Sequence, residues 1–216
     1  MEFIKTSLNL LEGFGITILI FIISLVLSLP LGLLITFGSM SKIKFIKYII
    51  RGFVWIIRGT PLMLQIIIVF YGPGLWLDIQ IPNFRFTAVI IAFVINYACY
   101  FSEIYRGGIE SISIGQYEAG YVLGLSKNAT FFKVVLPQVI KRIIPSIANE
   151  VITLVKDTSL ARVIAIVELI KVAEEEMRIT GALWPLLYTG LFYLIFSGLL
   201  TVLFNNIEKK LNYYKS

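Results

Sequence analysis

The sequence predicts an all-α membrane protein with five transmembrane helices and a short cytoplasmic helix between the third and fourth spans. Three observations carry that prediction. The 216-residue chain is 58% hydrophobic and only 15% Asp, Glu, Lys and Arg, with a mean hydropathy of +0.88, far more apolar than ordinary globular usage. Residues 13–41 and 179–207 contain no charged side chain, and each stretch exceeds the roughly 20 apolar residues that cross a bilayer as a helix. Lys and Arg gather at alternate span ends, as they do in multi-pass chains. A soluble single domain is excluded.

Span one is expected over residues 15–37. It begins too late, runs too long and lacks the small-residue cleavage site of a secretory signal, so it reads as a retained span. Span two, 48–71, contains Arg58 and Pro61, and the proline breaks its hydrogen-bond ladder. Spans three and four are expected over 86–108 and 134–155, the latter kinked at Pro145 with carbonyls freed there. Span five covers 184–205. Neither a low-complexity linker nor a fixed-period repeat interrupts the chain, so residues 1–216 read as one transmembrane domain.

Five crossings place the two ends on opposite sides. Lys42, Lys44, Lys47 and Arg51 follow span one; Arg106, Lys127, Lys133, Lys141 and Arg142 surround the loop after span three; Lys209, Lys210 and Lys215 close the sequence. The other side has only Lys5, Arg85, Lys156, Arg162, Lys171 and Arg178. By the positive-inside rule the N-terminus is outside and the C-terminus cytoplasmic. Trp76, Trp184 and Tyr213 near span ends fit an aromatic belt. After span four, Leu160, Val163, Ile164, Val167 and Ile170 fall on one side, with Arg162, Glu168 and Lys171 on others. That pattern predicts an amphipathic helix at the outer interface.

The inventory also excludes chemistry. Zero His and one Cys, Cys99, rule out an internal disulfide, a His-based triad and the common Cys/His zinc sites. No Gly-x-x-x-x-Gly-Lys-Ser/Thr run occurs, so nothing here is built to cradle nucleotide phosphates. No cofactor or metal is expected in this chain. A net charge of +6 and a pI near 9.4 could point to nucleic acid, but the basic residues sit at span ends rather than on a basic module. Anionic membrane lipid is the better partner.

The loop at about 115–133 is the most informative stretch. Gly115 can end one helix, and residues 116–125 can form a short second one, with Tyr117, Tyr121 and Leu125 along one flank. Small Ala119 and Gly120 permit close approach of another backbone. Glu118 in the first turn would complement the helix dipole, and Gly124 would stop the helix. Such a knob suits docking into a groove of a soluble partner; the alternative is an amphipathic hairpin lying on the headgroups.

The pattern Glu118-Ala119-Gly120, three residues, Gly124, nine residues, Val134-x-Leu136-Pro137 resembles the Glu-Ala-Ala loop of permease subunits in bacterial ABC importers. Gly120 stands where Ala is often found, and Val134 where Ile is. Arg58-Gly59-Thr60-Pro61-Leu62-Met63-Leu64-Gln65, Glu103-Ile104-Tyr105-Arg106-Gly107-Gly108-Ile109 and Lys156-Asp157-Thr158-Ser159-Leu160 are similar to signatures of the polar amino-acid uptake branch. The resemblance implies a non-enzymatic subunit of the prokaryotic plasma membrane. It would pair with a second permease, often its own copy, on two cytoplasmic subunits that bind ATP and Mg. An extracytoplasmic binding protein would deliver the amino acid. Glu118, Ala119, Gly120, Tyr121 and Gly124 would then form the ATPase dock.

Within that frame the intramembrane polar groups are candidates for the substrate pathway, since a charge at the bilayer centre costs about 2.5 to 3.5 kcal/mol on insertion scales. Glu150, preceded by Asn149, would meet the cationic end of a substrate; its rival role is a buried ion pair with Arg58. Arg58 and Thr60 sit where the interrupted span exposes backbone polar groups; the alternative is that Arg58 only neutralises an acid and Pro61 only bends the helix. Asn96 and Tyr100, four apart, share a face and could bond an α-amino or α-carboxylate group, or bridge two helices. Glu103 and Arg106 read as a local ion pair, and Asp157 with Thr158 as a helix cap. Glu150 inclines the substrate towards a basic amino acid, with glutamine next. The rival class is a secondary transporter or channel with its own coupling-ion site.

Overall fold

The computed structural model describes residues 2–211, so the roles expected of Tyr213 and Lys215 lie outside the described residues. Helices and their connections make up the described residues, with no strand among them. The first helix, α1 (Glu2–Ser39), runs unbroken for 38 residues through Pro30. At 1.5 Å per residue it is about 57 Å long, so its first turns extend well beyond the expected span.

The buried face of α1 is small and polar: Thr17, Ser24, Ser28 and Thr36 are all buried, while Leu27, Leu34 and Phe37 face outward. The hydroxyls of Thr17, Ser28 and Thr36 donate to carbonyls of their own helix, at Gly13, Leu25 and Gly32. Side chains this short let a neighbouring backbone come close, and Thr36 Oγ1 also reaches Ser102 O of that neighbour at 3.1 Å. The neighbour is α4 (Phe84–Glu110), where a Cβ at Gly32 would stand 3.1 Å from the Ala98 carbonyl oxygen and 3.0 Å from the Phe101 Cβ. Close packing of small residues holds helices together where lipid removes the hydrophobic drive.

The expected second span is two helices, α2 (Lys44–Arg58) and α3 (Leu62–Leu77), bent by 105°. Pro61 has no N–H and pushes Thr60 out of the helical region, so the first helix must end. On the cytoplasmic side of the expected topology, α4 is followed by α5 (Ile114–Val122), α6 (Lys127–Thr130) and a π-helical turn, Phe131–Val135. That turn leads into α7 (Leu136–Asp157), a 3₁₀ turn (Thr158–Ile164), α8 (Leu169–Thr180) and α9 (Trp184–Leu211). The third span is the hub: Ala92, Phe93, Tyr97, Ala98 and Phe101 of α4 are buried, and α1, α2, α3 and α7 pack around it.

Phe3–Ser39, Phe84–Glu110 and Trp184–Leu211 are long and apolar enough to cross a membrane, and the bent α2/α3 pair would make a fourth crossing. The expected fourth span, α7, is less apolar, with Lys141, Arg142, Asn149 and Glu150 among its 22 residues. It is continuous through Pro145, which is exposed.

The amphipathic helix expected around residues 160–171 does not form there. The 3₁₀ turn ends at Ala165 in a left-handed conformation with φ 61°, and α8 starts only at Leu169. The displaced start has a cause: fully buried Glu168 accepts hydrogen bonds from the backbone N–H groups of Ile170 (2.9 Å) and Lys171 (2.8 Å), capping α8. The new helix is clasped to the start of α1. Thr6 Oγ1 and Asn9 Nδ2 each donate at 2.6 Å to the two oxygens of Glu176. Those donors hold the Glu176 carboxyl below the usual range, so the clasp's contribution exists at neutral pH and is lost as pH falls through that lowered pKa.

Two glycines at helix contacts separate by what opposes them. At Gly108 a Cβ would stand 2.2 Å from Ile143 Cγ2, a side-chain atom, whereas Gly32 faces the α4 backbone. Overpacking of this kind costs about 1 to 3 kcal/mol. Gly108→Ala should lower the thermal midpoint in detergent, and adding Ile143→Ala should recover part of it. The loss caused by Gly32→Ala should resist rescue by Phe101→Ala, because that substitution keeps the Phe101 Cβ and the Ala98 carbonyl cannot move aside. Melting of the four purified variants checks both.

Candidate functional site

The break between α2 and α3 leaves the last carbonyls of α2 without helical partners, and two side chains take them up. The last helical bond runs from Gly59 N–H to Trp55 O at 2.9 Å, and beyond it Thr60 Oγ1 donates to Ile56 O at 3.0 Å. Gln65 Nε2 donates to Ile57 O at 2.8 Å, reaches Thr60 Oγ1 at 2.9 Å and Thr60 O at 3.2 Å, and its Oε1 accepts from Asn96 Nδ2 at 3.0 Å. Gln65 is a residue that reasoning from sequence missed as a site element. Its signal was a polar amide one turn past Pro61 in an otherwise apolar helix.

A cavity of about 520 Å³ opens where this break meets α4 and α7. Five of the expected residues line it: Arg58, Thr60, Asn96, Tyr100 and Glu150. Asn149 does not. It lies about 100° around the helix from Glu150 and is exposed, offering only its carbonyl to Thr153 Oγ1 at 2.9 Å. Nor is Pro145 on the wall, so the carbonyls expected there do not serve the cavity. Tyr97, Thr153, Asp157 and Leu160 also line the wall, beyond what was foreseen. Asp157 does not cap the following turn as expected; it accepts a 2.6 Å hydrogen bond from the Tyr97 hydroxyl.

Arg58 is tied to α4. Its guanidinium carbon stands 5.0 Å over the Tyr100 ring, and Nη1 lies 3.4 Å from Glu103 Oε2. The alternative pairing with Glu150 is therefore replaced by one with Glu103. Glu103 also pairs with Arg106 at 2.6 Å, as their i, i+3 spacing predicts; Arg106 pairs with Glu110 at 2.6 Å, and Arg51 reaches Glu110 at 3.7 Å. These contacts join one face of α2 to one face of α4. Since the one cavity guanidinium is engaged, Glu150 and Asp157 leave the wall rich in acceptors. That arrangement suits a cationic group.

At the other end of α4, Arg142 donates to Ser111 O and, at 2.9 Å, to Ser111 Oγ, while Gln138 Nε2 donates to Gln116 Oε1 at 3.0 Å. Both bonds tie the α5 region to α7. Gly124 ends the short helix with φ 71°, and Leu125 N–H closes back on Gly120 O at 2.9 Å. Gly115 falls in the first turn of α5 rather than ending α4, Leu125 lies past its end, and Glu118 is beyond its first turn. Gly120 is buried, where a Cβ would stand 2.5 Å from Thr130 Cγ2. It admits α6 of the same chain instead of presenting a surface. Glu118, Ala119 and Tyr121 are exposed, and Tyr121 (85%), Val122 (83%) and Leu123 (76%) form an uncovered apolar patch.

Residues 28–213 match the family of binding-protein-dependent transport system inner membrane components. The arginine transport system permease protein ArtQ of Bacillus subtilis is 36% identical over 203 residues, covering 94% of this chain and 92% of its own length. The L-cystine permease protein TcyB of the same organism is 35% identical over 204 residues, with 94% and 86% covered. The glutamine permease protein GlnP of Escherichia coli is 33% identical over 208 residues, with 94% and 92% covered. An amino acid ABC transporter whose crystal structure contains histidines superposes with a TM-score of 0.87 at 29% identity over 96% of each chain. The inward-facing MetNI methionine ABC transporter shares the fold, with a TM-score of 0.69 at 16% identity over 95% of each chain. In such systems the ATPase activity lies in a separate subunit, and the permease is not itself an enzyme. The chain belongs to the binding-protein-dependent inner membrane components, as a multi-pass permease subunit of an ABC importer for amino acids.

Proposed function

We propose that this permease carries polar amino acids with a preference for basic ones, and that the cavity beside the α2/α3 break is its translocation site. The observation that carries the reading is the lining itself: Glu150 and Asp157 face the cavity while Arg58 is drawn off to Glu103. An ammonium or guanidinium entering there replaces lost hydration with carboxylate contacts. Asn96, Thr60 and Tyr100 supply neutral hydrogen-bonding groups for the amino-acid end. An arginine permease among the relatives, and a related transporter solved with histidines, support a cationic substrate.

In this reading residues 1–216 act as one permease unit that crosses the membrane five times, counting the bent α2/α3 pair and α7. The N-terminus is outside and the C-terminus cytoplasmic. The chain pairs with a second copy and receives substrate from an extracytoplasmic binding protein. Two ATPase subunits hold ATP and Mg beneath it. The α5 helix is the coupling element, with Glu118, Tyr121 and the patch beside them seated in an ATPase groove. Nucleotide must favour one of two permease conformations for this contact to move any population. Family membership displaces the secondary transporter or channel reading.

Glu150→Gln should raise the KM for uptake of a basic amino acid about tenfold, equivalent to about 1.4 kcal/mol, and that for glutamine much less. Competition uptake into proteoliposomes holding the full complex measures both; equal losses would mean that Glu150 serves the structure alone. Tyr121→Asp should reduce co-purification of the ATPase subunits without lowering the amount of permease in the membrane. Gly120→Val should weaken the same association through Thr130, so adding Thr130→Ala restores it, whereas Tyr121→Asp stays unrescued. Pull-down of the ATPase by tagged permease variants reads out both results.

A further inference from the structure

Gln65 is the buried residue that the broken span is organised around, yet it does not line the cavity. Its side chain makes hydrogen bonds to three segments: the end of α2 through Ile57 O, the break through Thr60, and α4 through Asn96. The polarity of this chain of amides is fixed at its start. A backbone carbonyl such as Ile57 O can only accept, so the Gln65 nitrogen must face α2 and its oxygen must face α4. Asn96 therefore donates to Gln65, and the rest of its amide is what the cavity can use. Thr60 is bound in the same way: its hydroxyl gives its proton to the α2 carbonyls and receives one from Gln65.

We propose that Gln65 is a positioning residue for substrate recognition, setting the geometry of Thr60 and Asn96 on the cavity wall by clamping the α2/α3 break to α4. The proposal rests on the reading of that cavity as the translocation site. It predicts that loss of the clamp alters apparent substrate affinity although no substrate touches Gln65. A residue that only stabilised the fold would change how much active complex exists and leave the affinity of the survivors alone.

The test uses the complete complex of permease, ATPase subunits and binding protein in proteoliposomes, with ATP-driven uptake of labelled arginine as the readout. Gln65→Met keeps the bulk and removes every amide bond; it should raise KM at least fivefold, and its effect should be less than additive with that of Asn96→Ala. Gln65→Glu gives a second, independent signature. The introduced carboxyl, when ionised, can only accept, so it repels Ile57 O and Thr60 O; when protonated it has a single O–H to donate and an oxygen left to accept from Asn96. The ratio of this variant's KM to that of the parent protein should fall towards unity between about pH 8 and pH 5.5. If Gln65→Met fails to assemble, that pH profile decides alone.

The proposal is overturned by a Gln65→Met complex with unchanged KM and a maximal rate that merely tracks recovery, or by a flat Gln65→Glu ratio across pH. Glu150→Gln and Asn96→Ala separate the two levels of failure. If both raise KM while the Gln65 variants do not, the clamp is wrong and the cavity stands. If neither raises KM, the cavity is not the translocation site, and the proposal falls with it.

Discussion

A backbone carbonyl inside a membrane must find a donor, and this constraint organises the rest of the permease. Hydrocarbon offers no water, so each unsatisfied group costs several kcal/mol, and a chain may break a helix only where protein or a water-filled space can take up the loose ends. Pro61 forces such a break within an apolar segment. The freed carbonyls of Ile56 and Ile57 are met by the Thr60 hydroxyl and the Gln65 amide, from the break itself and the helix that follows it. The polar groups that solve the backbone's problem are thereby gathered at one depth, beside Asn96 and Glu150. The cavity follows from the repair of the break.

Side-chain size and charge explain why α4 can be the hub. On its α1 side the contact is made by small residues, with Gly32 against the α4 backbone and Thr36 Oγ1 donating both to Gly32 O of its own helix and to Ser102 O of α4. On its α2 side the contact is ionic, with Arg51 and Arg58 seven residues apart facing Glu103 and Glu110 seven residues apart. Individual exposed pairs contribute about 0 to 1 kcal/mol, so the ladder's value lies in register more than in strength. It fixes which turn of α2 lies beside which turn of α4, and so where Arg58 stands relative to Glu150. Because α4 continues towards the α5 region, and Ser111 and Gln116 are bonded to α7, the α5 region is tied to the two helices that line the cavity, which is the connection the proposed coupling would use.

Much of this was legible in the sequence, and the misses have physical causes. The apolar segments, the break at Pro61 and the shared face of Asn96 and Tyr100 follow from composition and helical periodicity, which are properties of single segments. The partner of Arg58 was not legible, because choosing Glu103 over Glu150 depends on the register between two helices far apart in sequence. Adjacency to Glu150 places Asn149 on the pathway in a linear reading, whereas neighbours on a helix point about 100° apart. The displaced outer helix was misplaced because an apolar periodicity from Leu160 onward looks helical, while buried Glu168 spends its carboxylate on capping α8 instead. Gly120 read as a docking surface and is a packing site, a distinction that only Thr130 makes visible.

The charge arrangement around the cavity also bears on how an importer can let go of what it binds. A wall with one Arg and two acids could have closed on itself as ion pairs, which would leave little affinity for any solute. Here the guanidinium is held between an aromatic face and an acid outside the cavity lining, and the Tyr97 hydroxyl occupies one oxygen of Asp157. The acceptors left for a cation are thus the Glu150 carboxylate and the other oxygen of Asp157. On the proposed reading, a basic side chain would bind such a site mainly by replacing lost water, and the gain is modest when both partners can rehydrate. Modest affinity is what a pathway requires, since a solute held as tightly as in a closed ion-pair cage would stall the cycle. On the proposed reading, capture at low concentration then falls to the external binding protein, and the permease cavity needs only to discriminate by charge while the α5 lever changes its shape.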